Sequence, residues 1–344
     1  TRLIRAIVEH RLEPEPYHNL VLAAECLRDV GASRVQGDLD GEIDRRLRGV
    51  YQSRPAGWQK IRHVLTGQTK YLIEPRIAAA TALASIGGQP FWKPPYGEPE
   101  WVEVPAGAFT MGSGPDDPLA RNDEKPQHTL HLDTFRIARV PVTNAQYALF
   151  ARATGHKVPG IWPDGRVPRD QESHPVTDVD WDDAMAYCRW LGGVTGKAVT
   201  LPSEAEWEKA ARGTDGRIYP WGDAYEPGRC NGKELALGTT TPVGIFPEGA
   251  SPYGVLDMSG NVYEWTCSRY ERYPYDPVDG RENHAMAEQE GLFILRGGSY
   301  YGDQRWLRCA FRFRYLPSGW GVDDGFRVVV SPFLPPLASD GSDL

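Results

Sequence analysis

The chain has 344 residues, of which 40% are hydrophobic and 24% charged, with 37 Gly and 29 Pro; at about 100–200 residues per domain it holds two domains, at most three. This composition is globular and turn-rich, neither disordered nor fibrous. The longest apolar stretch, Ile77–Gly87, is about half of what a bilayer span needs, which excludes a membrane-spanning helix.

The net charge of −8 is unevenly spread. Residues 1–95 hold 14 Lys+Arg against 10 Asp+Glu, leaving 24 against 36 for the remainder. Phosphate recognition needs clustered cations, so no nucleic-acid partner is expected for the acidic C-terminal part. Five separated cysteines without a CxxC pair fit neither a zinc ribbon nor a disulfide scaffold and favour a reduced compartment. No charged-then-apolar leader opens the sequence, so the expected location is cytoplasmic, with a trimmed N-terminus left open because residue 1 is Thr.

In chain order, residues 1–89 read as a small all-α domain. Leu20–Val30 has one apolar face, Gly41–Val50 carries acids near its start and arginines near its end, and the Ala-rich Pro75–Ile86 stops at Gly87-Gly88. Residues 90–100, with four prolines, read as a linker. Beyond Trp101 short strands alternate with Gly/Pro turns: Trp101–Val104, Phe109–Met111 and a longer His128–Ala138. Three helices are embedded: Thr143–Thr154, one beginning after Asp180, and one whose Ser203 and Glu206 form a capping box. His128 and His131 on an alternating strand point to opposite faces, so they form no metal pair.

A series of motifs then falls in one order: Gly107-Ala-Phe-Thr-Met-Gly-Ser113, Val142-Thr-Asn-Ala-Gln-Tyr147, His174-Pro-Val176, Leu201-Pro-Ser-Glu-Ala-Glu-Trp-Glu-Lys-Ala-Ala-Arg-Gly213, Tyr219-Pro-Trp-Gly222, Gly254-Val-Leu-Asp-Met-Ser-Gly-Asn-Val-Tyr-Glu-Trp265, Arg296-Gly-Gly-Ser299 and Gly325-Phe-Arg327. Together they resemble the formylglycine-generating-enzyme (sulfatase-modifying-factor) family over roughly Trp101–Pro332. The resemblance implies an α+β, C-type-lectin-like fold for residues 101–333, followed by a tail at 334–344. It also implies a copper ion held by two cysteines shortly after the Gly-Gly-Ser turn. Cuprous copper needs soft thiolates, yet Tyr300–Leu307 contains no cysteine, and Cys309 is a single thiol in a structural stretch. An iron-dependent, sulfoxide-forming branch of the family uses three histidines of an N-terminal domain, whereas residues 1–95 offer only His10, His18 and His63, without HxxxHxE spacing. Neither copper nor iron is therefore expected. For calcium, the resemblance implies oxygen donors at Asp257, Gly260, Val262 and Glu264, which could equally hydrogen-bond loop N–H groups.

Residues 300–324 hold seven aromatics in 25 positions, interleaved with Arg305, Arg308, Arg312 and Arg314, a composition that antibody paratopes also use. The frame of Arg296–Tyr300, Leu307-Arg308, Ala310, Arg312, Pro317 and Gly325-Phe-Arg327 resembles the variable region of diversity-generating-retroelement target proteins, in the formylglycine-enzyme-like type found in phages and prophages. Carried over by position, the hypervariable segment at about 296–328 would diversify Tyr301, Gly302, Asp303, Arg305, Trp306, Phe311, Phe313, Arg314, Tyr315, Gly319, Gly321, Val322 and Asp323. Tyr300, Leu307, Ala310 and Trp320 would be core. Phe311, Phe313 and Tyr315 would share an outward face, with Arg312 inward. The expected function is non-enzymatic binding of a macromolecular ligand, a protein, on a flat aromatic and arginine-rich patch. The alternatives are a metalloenzyme of the same family and the sensor part of a larger signalling effector.

Overall fold

A computed structural model describes residues 2–9, 17–31, 38–53, 73–88, 91–282 and 291–332. His10, His63 and the tail at 334–344 lie outside them. The N-terminal segment is helical as expected: α1 (Arg2–Glu9), α2 (Tyr17–Val30), α3 (Leu39–Tyr51) and α4 (Glu74–Ser85). Helix α4 starts with a proline in its first turn, where the missing N–H costs nothing.

These helices are not an independent bead. Leu39, Ile43, Leu47, Tyr51 and Leu83 share one buried cluster with Val140, Val243, Ile245, Phe246 and Leu256 of the C-terminal part. The Tyr51 hydroxyl donates to the Val243 carbonyl, and Arg76 Nη1 donates to the Ile245 carbonyl at 2.8 Å. The described part of the proline-rich segment is likewise ordered. It forms a hairpin, β1 (Trp92–Lys93) with β2 (Glu98–Pro99), and buries Phe91 in the shared cluster, so the expected linker is a packed connection.

The remainder is α+β. The expected long strand is two: β5 (His128–Leu132) pairs with β4 (Gly107–Met111), while β6 (Phe135–Ala138) joins β3 (Trp101–Val104) in another sheet. That second sheet is completed by β7 (Val199–Thr200) and β12 (Val329–Val330). Helices α5 (Asn144–Thr154), α6 (Trp181–Thr195) and α7 (Glu204–Arg212) each begin with a capping box, set by Thr143, Asp180 and Ser203. Reciprocal side-chain bonds there satisfy two otherwise orphaned N–H groups. His128 accepts the Tyr275 N–H through Nε2 at 2.9 Å and lies 2.9 Å from the Pro126 carbonyl through Nδ1, a structural role.

A four-stranded sheet positions the C-terminal segment. Its order is β10 (Phe313–Tyr315), β9 (Phe293–Arg296), β8 (Tyr263–Arg269), β11 (Asp324–Phe326), with β11 parallel to β8 and the other pairs antiparallel. Tyr263 and Asp324 are register partners on adjacent strands.

Candidate ligand-binding cleft

The segment 296–328 is fixed from below by arginines, each on a buried carboxylate. Arg312 donates to Glu204 through Nε and Nη2 at 2.6 and 2.9 Å, and Arg296 reaches Glu204 and Glu208 of the same helix. Arg308 holds Glu124 at 2.6 and 2.8 Å and Asp117 at 2.7 Å. Arg327 holds both oxygens of Glu264 at 2.6 and 2.7 Å. Burial alone would raise the Glu204 carboxyl, but Arg312 and Arg296 overcome it and hold the group below the usual range. Arg312 is inward, as the frame motif implied.

Above this layer lies a cleft of about 360 Å³, lined by Trp306, Phe311, Phe313, Tyr315, Gly321 and Asp323 from the expected set, with Arg121, Tyr263, Trp320 and Asp324 added. Tyr263 lies 5.0 Å from Phe313, and Phe313 stacks 6.2 Å from Tyr315. Arg314 points away from it, with its guanidinium 4.1 Å over the Tyr270 ring and 3.7 Å from Asp123. The surface is thus concave and aromatic, in place of the flat patch expected.

Several placements correct the sequence reading. Phe311 is 2% exposed and belongs to the core: the Phe311 N–H donates to the Arg308 carbonyl in a turn, so strand alternation begins only at Phe313. Trp320, expected in the core, is 60% exposed. Gly302 is buried, and its carbonyl accepts the Lys233 N–H at 2.9 Å. Tyr300, Leu307 and Ala310 are buried as expected. Tyr301 and the Asp303–Arg305 ion pair, at 2.6 Å, are not among the cleft-lining residues, and Val322 is exposed beside it. Gly319 lies against Tyr315, where a Cβ would stand 2.2 Å from the ring.

The added residues differ in how visible they were. Asp324 follows Asp323 immediately before Gly325-Phe-Arg327, and on a strand consecutive side chains face opposite ways, a signal that one of the two acids turns inward. Arg121 comes from a loop far away in sequence and gave no sign.

The calcium positions do not fit the ion. Both Glu264 oxygens are occupied by Arg327, and one also accepts the Trp207 indole N–H at 2.7 Å. Asp257 Oδ2 accepts the Gly244 N–H at 2.5 Å, and burial pushes this carboxyl up to about 6. The Gly260 carbonyl accepts the Val262 N–H at 2.9 Å. A dication would have to displace a guanidinium from its carboxylate.

The thiols do not form a reactive pair either. Cys188, Cys230, Cys267 and Cys309 are buried and free, and burial pushes the Cys309 thiol up to about 12, opposite to what a thiolate ligand or nucleophile needs.

A buried-arginine frame beneath exposed loops, flanked by two helices and small sheets, defines a C-type-lectin-like scaffold. The chain belongs to the family described as the sulfatase-modifying factor enzyme 1-like domain, which matches residues 91–332. It is 35% identical over 243 residues to a formylglycine-generating enzyme of Mycobacterium tuberculosis, covering 52% of this chain and 77% of that protein. PvdO from Pseudomonas aeruginosa is similar in structure, with a TM-score of 0.56 and 31% identity, over 67% of this chain and 94% of its own. Treponema denticola variable protein 1 shares the fold, with a TM-score of 0.54 and 20% identity, over 71% of this chain and all of its own. The chain thus has an enzyme among its relatives and shares its fold with a protein described as variable.

Proposed function

We propose that the chain is a non-enzymatic, receptor-like binding protein whose segment at about 296–328 is a diversified surface, rewritten by retroelement mutagenic homing and used to hold a protein ligand. The observation that carries this reading is a division within one segment: the frame residues Arg296, Arg308, Arg312 and Arg327 are buried in ion pairs, while Trp306, Phe313, Tyr315, Gly321 and Asp323 line an open cleft. Exposed aromatic side chains around a concavity mark a binding surface. The position where copper-dependent relatives would need two cysteines is occupied by Tyr300–Leu307, without a thiol. A cytoplasmic location belongs to the same proposal.

The coding DNA tests it. A nearby imperfect repeat of the codons for 296–328, differing only where it has adenine and lying beside a reverse transcriptase gene, is the expected result. Differences at other bases, or no repeat, would return the chain to a family member without diversification. Conversion of a substrate cysteine to formylglycine by the purified chain with copper would replace the proposal with the enzymatic reading that 35% identity to a formylglycine-generating enzyme keeps open.

A further inference from the structure

The chemistry of the ligand can be taken further, on the reading of the cleft as a binding surface. We propose that the cleft takes a cationic group, an alkylammonium such as a lysine side chain of a partner protein carries, between its aromatic rings and the carboxylates of Asp323 and Asp324.

Asp324 carries the argument. The residue is 5% exposed and its carboxylate faces the cleft, yet among the described residues that carboxylate receives no hydrogen bond and no ion pair. A buried carboxylate without a donor is costly. Glu204, Glu124 and Glu264 are met by arginines, and Asp257 and Glu282 by N–H or hydroxyl donors. Among the described residues the carboxylate of Asp323, beside it, accepts only the Ser299 hydroxyl, at 2.6 Å. Burial and then the charge of Asp323 push Asp324 up to about 7, a penalty that an arriving cation would relieve.

The walls suit the same group. Tyr263, Trp306, Phe311, Phe313, Tyr315 and Trp320 line the space, and cations are held over aromatic rings when water is excluded. The Arg121 guanidinium already lies 5.5 Å from the Phe311 ring centroid at the margin of the cleft. Arg121 and Arg314 share Asp123, at 3.4 and 3.7 Å, so two cations stand against three carboxylates with Asp323 and Asp324 counted, and one negative charge is left in excess at the cleft. Gly321 keeps them reachable, because a Cβ there would stand 2.8 Å from Asp324 Oδ2. A space of about 360 Å³ admits one side chain, so the partner would insert an anchor while the rim covers its surroundings.

Calorimetric titration with choline, its uncharged isostere 3,3-dimethylbutan-1-ol, and acetylated tripeptides carrying lysine or trimethyllysine tests the assignment at pH 8. The charged probes are expected to bind at least about tenfold more tightly than the alcohol. Asp324→Asn should weaken them about fivefold or more without loss of folding, and Gly321→Val should block them. Peptides binding more tightly than choline assign the source to a protein side chain; the reverse assigns it to a free small amine, and either result sustains a cation site. Equal binding of the alcohol, or indifference to Asp324→Asn, overturns it. If Trp320→Ala weakens the alcohol and choline alike, the cleft remains a binding surface and only the cation is lost. Failure of every probe to bind also overturns the cation, while the codon repeat decides the wider reading separately.

Discussion

The two sides of the C-terminal segment follow opposite rules. On its inner side Arg296, Arg308, Arg312 and Arg327 are buried, and their carboxylate partners come from Asp117, Glu124, Glu204, Glu208 and Glu264. On its outer side Trp306, Tyr315, Trp320 and Val322 are exposed, and among the described residues Asp324 has no such partner. A buried ion pair is strongly directional and fails when one member is removed, so the inner side holds backbone position without asking anything of the outer residues. The lesson is that a loop-rich surface can tolerate replacement of its side chains when its geometry is set from beneath.

Substitutions should separate the two sides, beginning with the inner. Arg312→Ala leaves the buried Glu204 with the longer contact to Arg296 and the Tyr273 hydroxyl, both at 3.3 Å, and the expected loss is about 3–5 kcal/mol, measured by denaturant unfolding. Phe311→Ala follows at about 3 kcal/mol, because its ring is in the core; an unchanged midpoint would move Phe311 to the outer side. Trp320→Ala and Tyr315→Ala are expected to shift stability by no more than about 0.5 kcal/mol, while weakening any ligand.

The carboxylate of Asp324 gives a prediction with a pH sign. Its pKa in the folded protein is raised from 3.8 to about 7, so the folded state holds a proton that the unfolded chain releases. The unfavourable contribution is absent below about pH 4, grows through the interval, and is complete above about pH 7. Asp324→Asn should therefore stabilise the protein above pH 7, by up to about 4 kcal/mol, with the gain vanishing toward pH 4. A gain independent of pH would point to packing instead. The smallest expected effect is that of EDTA, which should leave the melting temperature unchanged because Arg327 holds the Glu264 carboxylate.

Much of the inner side was legible. Ser203, Glu206 and Asp180 announced two helix starts, and the ordered motifs gave the scaffold and the inward direction of Arg312. The outer side was harder, because its shape depends on where the strand begins. A turn at Arg308–Phe311 breaks the alternation that would have placed Phe311 outward, and a loop some 190 residues earlier supplies Arg121. Composition also suggested a linker at 90–100, since prolines read alike in a free connection and in a hairpin whose neighbour Phe91 is buried by contacts distant in sequence.

The central claim is a fixed frame under a replaceable surface. Saturation mutagenesis of residues 296–328, scored for folded protein, tests it most directly. The account predicts tolerance at Tyr301, Trp306, Phe313, Tyr315, Trp320 and Val322, and intolerance at Arg296, Arg308, Phe311, Arg312 and Arg327. Equal tolerance across both groups, or intolerance at the cleft positions, would contradict it.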